Sequence, residues 1–157
     1  MIVRDYPATE AAALHALEAD ALRLGLGQRT ALTLVLMLEE LYTNTLKYGH
    51  AGHADAGRSH AGRGDVSIQV SLHALAGDEV ELRYEDDATP HDPFSPASNA
   101  QANAAAQGDP DDRPIGRLGI LLLRRLSRHA AYEYRHGRNV IRLRLGADAS
   151  PADFQSP

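Results

Sequence analysis

Cysteine is absent from the 157 residues. Disulfides, thiolate nucleophiles and Cys-ligated zinc or iron–sulfur sites are therefore excluded. Basic charge is also short, with 16 Lys and Arg against 21 Asp and Glu and a formal net charge of −5. That balance disfavours a direct nucleic-acid binder, because phosphate backbones are held by clustered cations. A small anionic ligand, which needs only local donors, stays open. Long apolar runs are missing too. The longest, Leu34 to Leu38, is far too short to cross a bilayer. The opening MIVRDYP lacks the charged and apolar regions of a secretory leader. A cytoplasmic protein with no membrane partner is the expectation. What remains, 43% hydrophobic and 24% charged residues, is ordinary globular composition, and the length fits one domain with a single core.

The chain opens on a short extended segment, Ile2–Tyr6, stopped by Pro7. A helix is predicted from about Thr9 to Leu24, with Thr9 as N-cap, Gly25 just past the end, and Leu14, Leu17, Ala21 and Leu24 on one stripe. Gln28 to about Tyr48 reads as a second, longer helix. LTLVLML alone would suit a strand, but it continues into EELYTNTLK without Gly or Pro. Gly49 to Gly64 has loop composition. Two alternating runs follow, Val66, Ile68, Val70, Leu72 and then Val80, Leu82, Tyr84, broken by Ala76–Gly77–Asp78. They predict a half-buried antiparallel hairpin. From about Thr89 to Arg113 there is no period, and Pro90, Pro93, Pro96 and Pro110 interrupt the stretch. A mobile lid over 89–115 is expected there. The helical run ILLLRRLSRH comes next, then a second hairpin turning at Gly137–Arg138, and a tail over 147–157 expected to be disordered. Helices and antiparallel strands are segregated along the chain. That points to an α+β fold, a two-layer α/β sandwich whose mixed, mostly antiparallel sheet carries helices on one face, in one domain over 1–146.

Sequence rules fail most often at functional sites, and three places break them. On the second helix, Glu40, Asn44 and Lys47 lie at i, i+4 and i+7 and share a face. A carboxylate, a carboxamide and an ammonium there could coordinate a hard cation, orient a hydroxyl and meet an anion; the same spacing also suits a solvated Glu–Lys surface. In EVELRYEDD, Asp86 falls in phase with Val80, Leu82 and Tyr84. A carboxylate aimed inward is costly unless hydrogen-bonded or given a polar ligand, such as an exocyclic amine. The other reading ends the strand at Tyr84 and leaves Asp86 in a turn. Third, Gly116-Arg117-Leu118-Gly119 directly precedes the helical run. Glycines there allow close backbone approach, and exposed helix N–H groups favour phosphate, although a plain helix-entry turn has the same sequence. His50, His53 and His60 share a loop with Asp55, but their spacing matches no zinc signature.

In this order the three sites resemble motifs of the GHKL ATP-binding superfamily. E40-L-Y-T-N44-T-L-K-Y is similar to its N-box. D86-D-A-T-P-H-D-P93 is similar to the first glycine box, usually DxGxPFDP, and G116-R-L-G119-I-L-L-L to the second. Within the superfamily, the small stand-alone shape and the DDATPHDP wording look most like anti-sigma factor serine/threonine kinases. The likeness spans roughly Tyr6 to Leu145.

The resemblance implies the Bergerat fold with ATP and Mg²⁺ as cofactors, and it implies residue roles. Asn44 would bind the Mg²⁺ bridging the phosphates, with Lys47 nearby, and Glu40 would be the catalytic base. Asp86 would accept from the adenine amine beside Ala88. Gly116, Arg117, Leu118 and Gly119 would lie on the phosphate side. Asn139 matches a polar position, often Thr, that supports the adenine aspartate. The implied activity is transfer of the ATP γ-phosphate to a Ser or Thr of a STAS-type anti-anti-sigma partner, with a sigma factor as a further partner. The competing implication is a nucleotide-binding module that sequesters such a partner and transfers nothing. A homodimer is also allowed, through the N-terminal segment or the first helix. The chain departs from the pattern at Ala88, where Gly is usual, at His91, where Phe is usual, and at Tyr48, where these kinases tend to carry His.

Overall fold

The computed structural model describes residues 3–6, 10–48, 66–77, 79–98 and 117–146. In chain order these form β1 (Val3–Tyr6), α1 (Glu10–Arg23), α2 (Gln28–Tyr48), β2 (Ile68–Ala74), β3 (Glu79–Asp86), α3 (Arg117–Leu126), β4 (His129–Arg135) and β5 (Arg138–Gly146). The strands form one five-stranded sheet in the order β1-β2-β3-β5-β4. Each described pairing is antiparallel.

Alternation along the strands builds the core. Val70 and Leu72 of β2, Val80, Leu82 and Tyr84 of β3, and Leu143 and Leu145 of β5 are almost fully buried. They share one cluster with Leu17 and Ala21 of α1, Leu34, Met37, Leu38 and Leu41 of α2, and Leu123 of α3. The period-two face of the sheet thus meets the three-four stripes of the helices. The intervening strand positions carry charge, paired across strands by Arg144 with Glu81 at 2.8 Å and Arg142 with Glu133, and along β3 by Arg83 with Glu85 at 2.6 Å. That leaves one polar sheet face, the usual arrangement for an antiparallel sheet covered on one side.

Local chemistry sets the element ends. The amide of Gly25 donates to Leu22 O (3.0 Å) and that of Leu26 to Ala21 O (3.1 Å), with Gly25 at φ +79°. This Schellman cap ends α1 at the glycine the sequence marks. Two other boundaries move. The last hairpin turns at His136–Gly137, not Gly137–Arg138. Both residues have positive φ, +51° and +77°, and Arg135 pairs with Arg138 across the turn. That is the geometry of a tight two-residue turn matched to strand twist. The third helix begins at Arg117, so Gly119 sits inside its first turn and not ahead of it. It ends at Leu126 because the Arg128 amide is already taken by Arg144 O in the sheet (2.8 Å).

Part of the stretch expected to be aperiodic is held in place, although Thr89, Pro90, His91, Pro96 and Ala97 are exposed. Phe94 is 8% exposed and joins the core. Asp92 Oδ1 accepts from the Phe94 amide (2.8 Å), and Ser95 Oγ accepts from the Ser98 amide (3.2 Å). From α3, Arg124 donates to Phe94 O (3.3 Å) and lies over the Phe94 ring, 5.7 Å from its centroid. The histidine-bearing loop, Thr9, Tyr48's side chain, the remainder of the expected lid and the tail lie outside the described residues. No described helix is long and apolar enough to cross a membrane.

Candidate functional site

Strand β3 runs through Asp86, which pairs with Ile68 on one side and Asn139 on the other. Period-two alternation therefore puts the Asp86 side chain on the Leu82–Tyr84 face, and it is 4% exposed. The turn reading, with the strand ending at Tyr84, is excluded. The buried carboxylate is well supplied with donors. Oδ1 accepts from Asn139 Nδ2 (2.7 Å) and the Ala88 amide (3.0 Å), and Oδ2 accepts from Thr45 Oγ1 (2.9 Å). Thr45 in turn accepts from the Tyr84 hydroxyl (2.8 Å). Such pairing offsets the desolvation of the carboxylate.

Asn139 holds the far wall. Its Nδ2 also reaches Ala88 O and Thr89 O (3.2 Å each), while its Oδ1 accepts from the His91 amide (3.1 Å) and the Tyr132 hydroxyl (2.8 Å). One carboxamide thereby fixes the aspartate, the chain from Ala88 to His91, and strand β4. Burial chiefly, and then the nearby Asp92 charge, raise the Tyr132 pKa above the ordinary 10.0; the Asp86 and Tyr134 charges add to this, and the His91 amide opposes it.

Helix α2 supplies the opposite side. Leu41, Asn44 and Thr45 face Asp86, Ala88, Thr89, His91, Pro93, Asn139 and Ile141 across a hollow whose enclosed part is about 30 Å³ and which, with its open mouth counted, spans about 380 Å³. Asn44 is 7% exposed, and neither its Oδ1 nor its Nδ2 finds a hydrogen-bond partner among the described residues. A buried, unsatisfied carboxamide costs roughly 1–3 kcal/mol, so its polar atoms are positioned for a ligand of the hollow. Oxygen is the donor type a hard divalent cation takes, and Asn44 Oδ1 fits that requirement.

Glu40, one helical turn before Asn44, does not line the hollow. Its carboxylate packs against the first turn of α3. A Cβ built on Gly119 would land on Oε2 and Cδ of Glu40 and within 2.9 Å of Cγ. Only a residue without a side chain lets α3 lie that close. Asn44, Asp86, Ala88 and Asn139 thus come together around one hollow. Glu40 and Gly119 form a second contact at the junction of α2 and α3. Lys47, Arg117 and Leu118 hold their places in the helix backbones with side chains outside the described residues, and Gly116 lies outside them altogether.

The sequence reading missed Thr45, Tyr84 and Tyr132. Thr45 follows Asn44 directly, and Tyr84 lies two residues before Asp86 in the same inward phase, so both carried a local signal. Tyr132 carried none. It pairs with Ile141, diagonal to Asn139, only through the β4–β5 register. Among the described residues, no group of three or more His, Asp or Glu side chains could hold a metal ion by itself.

No curated protein sequence matches the chain. Among solved structures, a chain in the crystal structure of the SiaB–SiaC complex from Pseudomonas aeruginosa superposes with a TM-score of 0.57 at 13% identity. The match covers 92% of this chain and 89% of that one. At that identity the likeness concerns the fold alone. The family model for the histidine kinase-like ATPase domain matches residues 3–145, which takes in the described strands and helices except the last residue of β5, and the hollow between them. The chain belongs to the histidine kinase-like ATPase family, the GHKL group of folds.

Proposed function

We propose that the chain binds ATP in the hollow between α2 and the β3–β5 pair. We further propose that it is an anti-sigma-factor-like serine/threonine protein kinase, passing the γ-phosphate to a Ser or Thr of a STAS-type anti-anti-sigma partner. The observation that carries the proposal is the hydrogen-bond inventory at Asp86. Both acceptor positions of Oδ1 are filled by Asn139 and Ala88, while Oδ2 has one donor, Thr45. The Thr45 proton points to Asp86 because its oxygen already accepts from Tyr84. The carboxylate therefore has room for one more N–H donor, which is what an exocyclic purine amine offers. Apolar Leu41, Ala88, Pro93 and Ile141 in the lining suit the faces of a flat ring. Family membership supports ATP as the nucleotide.

Mg²⁺, when bound, neutralises phosphate charge, and Asn44 Oδ1 would hold it. Glu40 would accept the proton from the partner's hydroxyl as its oxygen bonds to the γ-phosphorus and the bond to the β–γ bridging oxygen breaks, releasing ADP. General-base help of this kind is typically worth ~10²–10⁴-fold. A protein partner is consistent with the solved neighbour's being part of a complex.

A second reading, a regulator that binds nucleotide and sequesters its partner or a sigma factor, draws on one observation: Glu40 packs on Gly119 and does not line the hollow. Thermal shift with ATP and Mg²⁺ tests the binding claim. The expected result is clear stabilisation of the wild type, weakened in Asn44→Ala and lost in Asp86→Asn; an undiminished shift in Asp86→Asn refutes the adenine assignment. Radiolabel incorporation into a STAS-type protein then separates the readings. Transfer that falls with Glu40→Ala while ATP binding persists supports the kinase with Glu40 as base, transfer indifferent to that change removes Glu40 from that role, and no transfer above background supports the second reading.

A further inference from the structure

Helix α3 touches two distant parts of the molecule at once. At its first turn, Gly119 lies against Oε2 and Cδ of Glu40. Five residues on, about 7.5 Å along the helix axis, Arg124 holds Phe94. Its Nη2 donates to Phe94 O (3.3 Å), and its guanidinium sits 5.7 Å from the centroid of the Phe94 ring. A planar cation does both together, donating in its plane while stacking through its face. Phe94 directly follows Pro93, which lines the hollow. The chain there is stiff. Proline fixes its own φ, Asp92 Oδ1 accepts from the Phe94 amide (2.8 Å), and the Ser98 hydroxyl donates to Asp92 O (2.9 Å). Ile120 and Leu123, between the two contacts of α3, are buried in the core. They anchor the helix in the middle, so tilt about that point is the motion that links Phe94 to Glu40.

We propose that Arg124 is a positioning residue for Glu40: through α3 it ties the wall that receives the purine to the carboxylate beside Gly119. The inference rests on the adenine reading of the hollow. A purine seated against Pro93 displaces Phe94, Arg124 carries that displacement into α3, and α3 shifts Gly119 against Glu40. The Glu40 carboxylate, confined by the backbone of α3, then gains room to turn toward Asn44, one helical turn further along α2. A carboxylate that does not line the hollow is thereby placed in response to what fills it. The coupling runs through a contiguous set of contacts, and it has the strength of the difference in those contacts between the filled and unfilled hollow.

Adenosine is the probe, because it carries no phosphate that could touch α3 directly. With the ¹⁵N-labelled full chain, the Gly119 amide resonance is expected to shift as adenosine saturates, although Gly119 does not line the hollow. In Arg124→Ala, adenosine should still bind and the Gly119 shift should be lost, with circular dichroism unchanged because Arg124 is exposed. Arg124→Lys, which keeps a cation over the ring but not the planar fork, should recover part of the shift. Arg125→Ala, which removes the adjacent exposed cation, should leave it intact. Phosphoryl transfer should fall about tenfold in Arg124→Ala at unchanged ATP affinity, and in a Glu40→Ala background the same change should cost nothing further. A Gly119 resonance indifferent to bound adenosine, a shift that survives in Arg124→Ala, or an equal loss in Arg125→Ala overturns the proposal. Adenosine that does not bind to the wild type refutes the adenine reading itself, and the proposal with it.

Discussion

Asn139 spends its whole hydrogen-bonding capacity on the protein: three contacts from Nδ2 and two to Oδ1. Tyr132 depends on that arrangement, because its hydroxyl must stay protonated to donate to Oδ1. A group whose folded pKa lies above its unfolded value binds its proton more tightly when folded, so the unfolded chain loses it first as pH rises. Tyr132 therefore contributes stability that is fully present below pH 10 and is lost as pH climbs from 10.0 toward its raised folded value. Urea midpoints measured across that window should fall more steeply for wild type than for Tyr132→Phe; parallel curves would refute the assignment. Asp86 and Asn44 differ at this scale. Asp86 is read from its phase in the strand, whereas the unsatisfied state of Asn44 depends on what the fold sets around it.

Between elements, two contacts make specific demands. The His136–Gly137 turn holds a non-glycine residue at φ +51°, a conformation that costs most side chains roughly 1–2 kcal/mol and asparagine less. His136→Asn is expected to raise unfolding free energy by ~0.5–1 kcal/mol, read by denaturant titration. The α2–α3 junction is a close approach of Gly119 to Glu40. Gly119→Ala should lose ~1–3 kcal/mol by overpacking. In a Glu40→Ala background most of that loss should vanish, since the clashing carboxylate is gone, so a double-mutant cycle should be strongly non-additive. An additive cycle would mean that the two residues do not meet. Both elements were legible in the sequence to within a few residues. Their ends were not, because the sheet hydrogen bond to Arg128 and the strand twist across the turn act between distant segments.

At the level of the whole molecule, the sheet and helical layer share one core, and the proposed nucleotide would bind only the folded state. At a hundredfold excess over its dissociation constant, such a ligand adds about 2.7 kcal/mol to stability. For a domain of this length that is a melting-temperature rise of ~5–10 °C, measurable by calorimetry with ATP and Mg²⁺. Leu82→Ala, fully buried in β3, should cost ~2–5 kcal/mol in the absence of nucleotide. Because Leu82 does not line the hollow, that variant should keep a nucleotide-dependent rise, though from a lower starting point.

Periodicity alone determined which segments are helix and strand and which face of each is apolar, because burial repeats every two residues in a strand and about every 3.6 in a helix. It also put an acid in inward phase at the end of β3 and a glycine beside a helix start. The resemblance sets Asn139 beside that acid, but the sequence could not say that Thr45 would donate to it with the Tyr84 hydroxyl behind, or that Gly119 would meet Glu40. Nor could it say that Leu32 and Leu36 would be left outside a core their neighbours fill. Those outcomes depend on register and packing between segments far apart in the chain, and a one-residue slip in the sheet would have turned Asp86 to the charged face.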